Sequence, residues 1–382
     1  MTTAVPAPRP GPPPRDLDLG AEPSRRALVT RSQRPAAWTA LVGVAVVVVL
    51  ALLPYLVFER FTNILVDLFI VVTMATMWNL LAGYAGLVSV GQQAFVGLGA
   101  YTVLFLALHG LEPFLAIPVA AAVTAVLAVP ASWLMFRLSG AYFAIGTWVL
   151  AIVAQIVISG ISSLGGGTGK SLPGLSNLSS TLLGAYTYWA TLAVTVASIL
   201  AAYLLLRSRT GLVLTSVRDN EVAARSSGAN VGNAKRAVYL LSAAGCGAAG
   251  ALVAISQLNV EPVNVFSINW SAYMIFAVLI GGIGTIEGPI LGAIVYILLY
   301  ETLGASSSDV WYLIILGALA IVMAIWARRG IWGIFATRVR VQLFPVGYWL
   351  RAAPGEAERR GPLRYVLGPV KVASKRRSGG SG

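Results

Sequence analysis

A chain of 382 residues with 57% hydrophobic and 11% charged side chains cannot clothe itself in polar surface, since soluble domains carry about 25% charged residues. Its net charge of +13 gathers at the margins of apolar runs rather than on a polar domain, which argues against nucleic-acid binding. Cys246 is the single cysteine and His109 the single histidine, so an intramolecular disulfide is excluded and a His-based metal cluster or histidine-dependent triad lacks its residues.

Lipid can solvate such a chain. Within lipid each backbone polar group must be satisfied inside its own segment, so long apolar runs become helices. The alternating pattern of a membrane barrel is absent. The fold class expected is an all-α integral membrane protein of about ten transmembrane helices.

Residues 1–35 are rich in Pro, Ala and Arg and predict a disordered cytoplasmic segment. The first apolar run, Trp38–Phe58, is longer than a signal-peptide core and follows Arg25, Arg26, Arg31 and Arg34, which predicts a retained first span with its N-terminus inside. Further spans are expected at Thr62–Leu81, Gly91–Leu108, Phe114–Phe136, Tyr142–Ser159 and Tyr186–Leu206. After the polar loop 207–236 come Ala237–Leu258, Ile268–Gly284, Pro289–Leu303 and Val310–Trp326. An even number of spans returns the C-terminus to the inside, beside Arg328 and Arg329, in agreement with the basic bias of inner loops. On this topology only Arg60 and Lys170 face outside. The joints at Gly83–Ser89 and Gly284–Gly288 read either as turns or as broken helices buried in protein.

The transmembrane domain thus covers 36–330, and 331–382 is a basic cytoplasmic tail. Ile331–Leu350 mixes Trp, Phe, Tyr and Arg, a composition suited to a helix lying on the inner membrane surface. The last residues, Ser378–Gly382, read as an artificial linker. Ile161–Gly184 is the longest outer loop and is expected to carry short interfacial structure.

Two motifs are decoys. Gly165–Ser171, GGGTGKS, resembles a phosphate-binding loop, but Leu164 stands where the pattern needs Gly, and no strand precedes it. Gly245–Gly250, GCGAAG, matches GxGxxG but lies inside an expected span, where small residues let helices approach closely. Gly284, Gly288 and Gly292 take the same packing reading. Asp67 is an acid near the outer end of the second span, where a carboxylate costs roughly 2.5–3.5 kcal/mol at full depth. It reads as a helix-end acid bonded to a neighbouring helix more readily than as a proton or substrate contact, since one acid makes no relay. Glu287, in the inner turn GTIEGP, reads as a backbone cap or a partner contact.

Loop 207–236 is too charged for a turn and too rich in helix formers for a linker. Ser216 with Asp219 reads as a helix start, Glu221–Ala224 as helix and Gly228 as a left-handed stop. A helix of about three turns cannot stand alone in water and needs a surface to lie against. Ala223 and Ala224 offer a slim face, and Arg218, Glu221 and Arg225 offer charge. The residues alone fit equally a docking surface and a solvated amphipathic helix at the membrane.

Glu221–Gly228, EVAARSSG, resembles the coupling loop of ABC importer permeases. Ser216–Arg225 with Gly228, Asn230 and Lys235 is similar to the branched-chain amino acid permease family. Asn79–Tyr101 resembles that family's Gly-rich signature, Tyr142–Ile145 a third block and Ile280–Pro289 a fourth, all in order. The coupling string and the length fit the M-type subunit better than the H-type. The chain departs from the pattern at Gln92, where many members carry histidine, and at Lys170 in the outer loop.

The resemblance implies a fold like the type II permease of the cobalamin importers, in the bacterial cytoplasmic membrane with both termini inside. It implies a permease without a catalytic site or metal of its own, importing hydrophobic, branched-chain amino acids. Its implied partners are a second, H-type permease subunit, two cytoplasmic ATPase subunits that bind ATP and Mg, and an extracytoplasmic substrate-binding protein. Carried onto this chain, the ATPase-coupling residues are Arg218, Asp219, Glu221, Ala223, Ala224, Arg225 and Gly228, and the translocation path includes Gln92, Gln93, Gly97, Gly99, Tyr142 and Thr147. Related permeases carry urea, short amides or aromatic acids, which leaves these as alternative substrates. An ion-coupled secondary transporter is the rival from another class and would need more membrane acids than Asp67.

Overall fold

The apolar runs become helices with the ends their polar residues dictate. The computed structural model describes residues 27–30, 34–55, 59–175, 179–219, 221–226, 228–304, 309–326, 330–339 and 349–352. It divides into two units. In the smaller one, strand β1 (Ala27–Thr30) pairs antiparallel with β4 (Trp349–Ala352). These strands correct the expectation that 1–35 is wholly disordered and that Ile331–Leu350 is one helix; the expected linker Ser378–Gly382 lies outside the described residues.

The larger unit spans residues 34–346, and its described residues are mainly helical. Its elements are α1 (Arg34–Leu52), α2 (Glu59–Asn79), α3 (Gln93–Leu108), α4 (Pro113–Met135), α5 (Ala141–Ser159) and α6 (Ser180–Arg207). There follow α7 (Arg209–Asp219), α8 (Glu221–Ser226), α9 (Val231–Gln257), α10 (Pro262–Val265), α11 (Ile268–Gly281), α12 (Gly288–Leu299), α13 (Asp309–Trp326) and α14 (Gly330–Val339). Each expected span overlaps a helix, although Ile268–Gly284 runs past the end of α11 at Gly281 and the end of Trp38–Phe58 lies outside the described residues. Among the described residues six are long and apolar enough to cross a membrane: Arg60–Tyr84, Pro113–Met135, Ala141–Ser159, Ser180–Arg207, Val231–Gln257 and Pro262–Gly281. Four shorter apolar helices accompany them: Leu41–Tyr55, Gln93–Leu108, Gly288–Thr302 and Ile314–Met323. This is a multi-pass, all-α membrane protein.

Helices α2 and α9 form the buried centre, while α4, α5 and α6 present most of their length outward. Glycine makes the centre possible. A Cβ on Gly250 would lie 1.9 Å from the Val96 carbonyl oxygen, and one on Gly99 would lie 2.0 Å from that of Gly247. Backbones therefore meet directly where α3 crosses α9, the close approach that drives helix association in lipid. Hydroxyls add polar links: the Thr73 and Thr195 hydroxyls are 2.9 Å apart, and Tyr188 donates to the Leu50 carbonyl at 2.7 Å. The outward faces are apolar, with Leu41, Val126, Ile145 and Ile156 exposed, as contact with lipid chains requires.

Two helices begin earlier than their apolar runs. Ser179 caps α6 by accepting the Leu182 N–H, and Asn230 caps α9 by accepting the Asn233 N–H at 3.1 Å. Most of loop 207–236 is consequently helical. The loop between α5 and α6 holds two short helical turns and strand β2 (Lys170–Ser171), which pairs antiparallel with β3 (Asn259–Val260). Phosphate-loop geometry is absent there, since a strand and not a helix follows the glycines. Helix α14 is packed onto the bundle rather than simply laid on a membrane: a Cβ on Gly330 would meet Gly282 at 2.3 Å, and Trp332 is buried.

Candidate functional site

The two doubtful joints meet. Helix α2 ends in a wider π-helical turn, Leu80–Tyr84, followed by the irregular stretch 86–92 before α3. Gly86, at φ 69°, provides the left-handed step that releases the chain from the helix. The Trp78 indole N–H donates to the Ser89 carbonyl at 2.7 Å and pins the stretch against α2. The second joint is the turn 282–287 between α11 and α12, entered through Gly282 at φ 134° and Gly284 at φ 76°. Gly284 thus sits in a turn rather than on a helix face, yet its backbone still meets Gly83, whose Cβ position lies 2.7 Å from Gly284 N; Gly288 and Gly292 also sit at close approaches, with Cβ positions 2.3 Å from the Gly282 carbonyl oxygen and 1.7 Å from that of Ala277. Asn79 joins the two: its Oδ1 accepts the Gly284 N–H and its Nδ2 donates to the Thr285 carbonyl.

The same turn receives the polar hairpin. The Arg218 guanidinium lies over Gly284, so close that a Cβ there would sit 2.7 Å from Nη1. Glu287, at the N-cap position of α12, makes no side-chain capping hydrogen bond, which corrects the reading of it as a cap. It is buried and lies, like Arg218, within electrostatic range of Tyr84.

Ser216 lies inside α7 and its hydroxyl donates back to the Val213 carbonyl at 2.8 Å; the helix begins earlier, after Ser208. Loop 207–236 thus forms two helices rather than one of about three turns. Helix α8 stops as Gly228 takes φ 80° and its N–H bonds the Arg225 carbonyl at 3.0 Å. Val217, Ala224 and Val231 form a small apolar cluster that fastens α7 and α8 to the start of α9. Ala224 is 4% exposed, so its face is used within the chain, while Arg218, Arg225 and Gly228 are exposed. The side chains of Asp219, Glu221 and Ala223 lie outside the described residues.

Of the residues expected on a path, Gln92, Gln93, Gly97 and Gly99 are buried in the first turns of α3, and Thr147 is buried on α5. The Ser242 hydroxyl lies 3.4 Å from Gln92 Oε1, and Ser271 donates to Gln93 Oε1. Gln92 Nε2 and Thr76 Oγ1 are buried without a hydrogen-bond partner among the described residues. Thr147 Oγ1 accepts the Val90 N–H at 3.2 Å, and Gly97 faces the Phe266 ring. Tyr142 stands apart, 73% exposed on the outward face of α5.

A cavity among the described residues lies elsewhere. A cavity of about 470 Å³ is lined by Asp67, Ile70 and Val71 of α2, Val253 of α9, Trp270 and Tyr273 of α11, and Tyr296 and Tyr300 of α12 and its continuation. Sequence reasoning missed all of these but Asp67. The available signal was Asn269 with Tyr273, and Tyr296 with Tyr300, polar or aromatic pairs one helical turn apart in apolar helices. Asp67 lies well inside α2, and among the described residues its carboxylate has no hydrogen bond or ion pair, which corrects the reading of it as a helix-end acid bonded to a neighbour. No cluster of metal-ligating residues occurs among the described residues.

Residues 60–324 match the family described as branched-chain amino acid transport system / permease component. The chain is 26% identical over 314 residues to the high-affinity branched-chain amino acid transport system permease protein LivM of Salmonella typhimurium, covering 75% of this chain and 73% of that one. The LivM of Escherichia coli K12 is likewise 26% identical, over 319 residues, with 75% and 73% covered. No solved structure matches.

Proposed function

The chain belongs to the branched-chain amino acid transport permease family, and on that premise we propose that it is a membrane-spanning subunit of an ATP-driven importer of hydrophobic amino acids. The carrying observation is the contact of Arg218 with the Gly284 turn, which Asn79 ties to the broken end of α2. A push on α7 and α8 then has a short route to the joint beside Gln92 and Gln93, through the close approach of Arg218 to Gly284, the two Asn79 hydrogen bonds and the end of α2. A change of access must be biased by different contacts in its two states; the bias here comes from ATPase subunits that hold ATP and Mg and close beneath the hairpin.

In this reading all ten expected spans cross the bacterial cytoplasmic membrane in a fold like that of the cobalamin importers, with both termini inside. Arg218, Asp219, Glu221, Ala223, Ala224, Arg225 and Gly228 form or support the ATPase contact. An H-type permease subunit completes the path, along which Gln92, Gln93, Gly97, Gly99, Tyr142 and Thr147 are the proposed residues, and an extracytoplasmic binding protein delivers the solute. The relatives' names support branched-chain amino acids over urea, amides or aromatic acids. The test is leucine uptake by proteoliposomes holding this chain with its partners. Uptake should need ATP and both ATPase subunits; uptake driven by an ion gradient without them overturns the proposal in favour of a secondary transporter.

A further inference from the structure

The cavity beside α2 is distinct from the packed residues around Gln92. Counting 1.5 Å per residue, Asp67 is about 18 Å along α2 from Asn79, toward the other end of the bundle. Its carboxylate faces open space without a partner among the described residues. Asp67 is exposed to this cavity, and the charged group in electrostatic range of it is a second acid, Glu301, whose carboxylate lies 3.9 Å from the Arg60 guanidinium; two acids this near one another favour a cation between them.

The lining contributed by α11, α12 and its continuation is a run of neighbouring aromatic rings. Trp270 and Tyr273 are 5.9 Å apart between ring centroids, Tyr273 and Tyr296 4.9 Å, and Tyr296 and Tyr300 6.5 Å with planes 9° from parallel. Trp270 is held in place by its N–H bond to the Asn264 carbonyl at 3.0 Å. Ring faces attract cations within about 6 Å of the centroid, and a carboxylate across the same space adds to that attraction. Ile70, Val71, Val253 and Ile297 supply the apolar remainder of the lining. The volume of about 470 Å³ lies in the range of small-molecule sites.

We propose that this cavity binds an organic ammonium group between Asp67 and the Tyr273–Tyr296 wall, with a branched apolar tail against Ile70, Val71, Val253 and Ile297. The site recognises the amine end of its solute. It deepens the transport reading above and rests on it for the choice of leucine as solute.

The experiment is equilibrium binding of radiolabelled leucine to the full-length chain in lipid nanodiscs, with isoamylamine and isocaproate as competitors. Isoamylamine keeps the ammonium and the tail; isocaproate keeps only the carboxylate and the tail. Saturable leucine binding displaced by isoamylamine and not by isocaproate is the expected result, and Asp67→Asn should weaken it by about tenfold or more while Asp67→Glu restores part of it. Absence of saturable binding, equal displacement by both competitors, or unchanged affinity in Asp67→Asn overturns the site. So does displacement by sodium but not potassium chloride, which would make it an inorganic cation site. The competitor comparison uses the natural chain and does not depend on the variants folding. If the assembled transporter still takes up leucine with ATP while the cavity binds none, this inference fails alone. If the amine binds but ATP drives no uptake, the transport reading fails.

Discussion

The side-chain amide of Asn79 bonds two successive residues of the α11–α12 turn: Oδ1 accepts the Gly284 N–H at 2.8 Å, and Nδ2 donates to the Thr285 carbonyl at 2.7 Å. A single side chain therefore satisfies two groups of a turn inside the bundle and fixes the distance between the end of α2 and the α11–α12 joint. Arg218 closes the same turn from the polar hairpin.

Replacing Asn79 by Leu leaves both backbone groups without their partner in a part-buried place, at about 1–3 kcal/mol for each unsatisfied group. Asn79→Asp keeps the acceptor and loses the donor. Thermal unfolding in detergent should rank wild type above Asn79→Asp and both above Asn79→Leu. Equal melting temperatures would mean that the clamp adds nothing.

Glycines that look alike in sequence should respond oppositely. Gly250 and Gly99 face carbonyl oxygens at 1.9 and 2.0 Å from the Cβ position, whereas Gly184 in α6 has nothing within 4 Å. Gly250→Ala and Gly99→Leu force α3 and α9 apart and should destabilise by about 1–3 kcal/mol or more, with transport lost and membrane insertion kept. Gly184→Ala should gain up to about 1 kcal/mol from helix propensity alone. Melting temperatures of the three variants, with a membrane-fraction blot, decide it.

The pattern of long-range contacts explains what could be read from the chain and what could not. Helices were legible because lipid leaves an apolar run little else to become, and Gly245, Gly247 and Gly250 fall at the close crossings their spacing suggested. Helix starts were less so: Asn230 is a cap that sits within a polar loop, and Ser216 has a cap's identity but a helix-interior position. The clamp was illegible because Asn79 and Gly284 are separated by 205 residues, and an Asn in an apolar helix carries no mark of its partner. The aromatic wall was hidden for the same reason, being assembled from α11 and α12.

Arg218 and Ala224 separate contact from support. Ala224 is buried against Val217 and Val231, so Ala224→Trp should dislodge α8 from α9, overpacking the cluster by about 1–3 kcal/mol. Arg218→Ala removes the load on Gly284 and leaves that cluster intact. In reconstituted complexes Arg218→Ala should keep assembly and basal ATPase activity but lose stimulation by the loaded binding protein, whereas Ala224→Trp should weaken assembly itself. Full stimulation in Arg218→Ala would remove this residue from the coupling route.

The orientation of the hairpin can be tested on a silent background. Cys246 is the single cysteine and is completely buried, so a membrane-impermeant maleimide should not label the natural chain. A cysteine introduced at the exposed Thr168, in the loop carrying β2, and one at the exposed Arg225, at the end of α8, then report the two ends of the bundle. Positive residues crowd the Arg225 end, and inner loops hold the basic excess. In intact cells Thr168→Cys should therefore label readily, and Arg225→Cys only after permeabilisation. Labelling of Arg225→Cys from outside would put the hairpin where no ATPase can reach it, and coupling through Arg218 would be impossible.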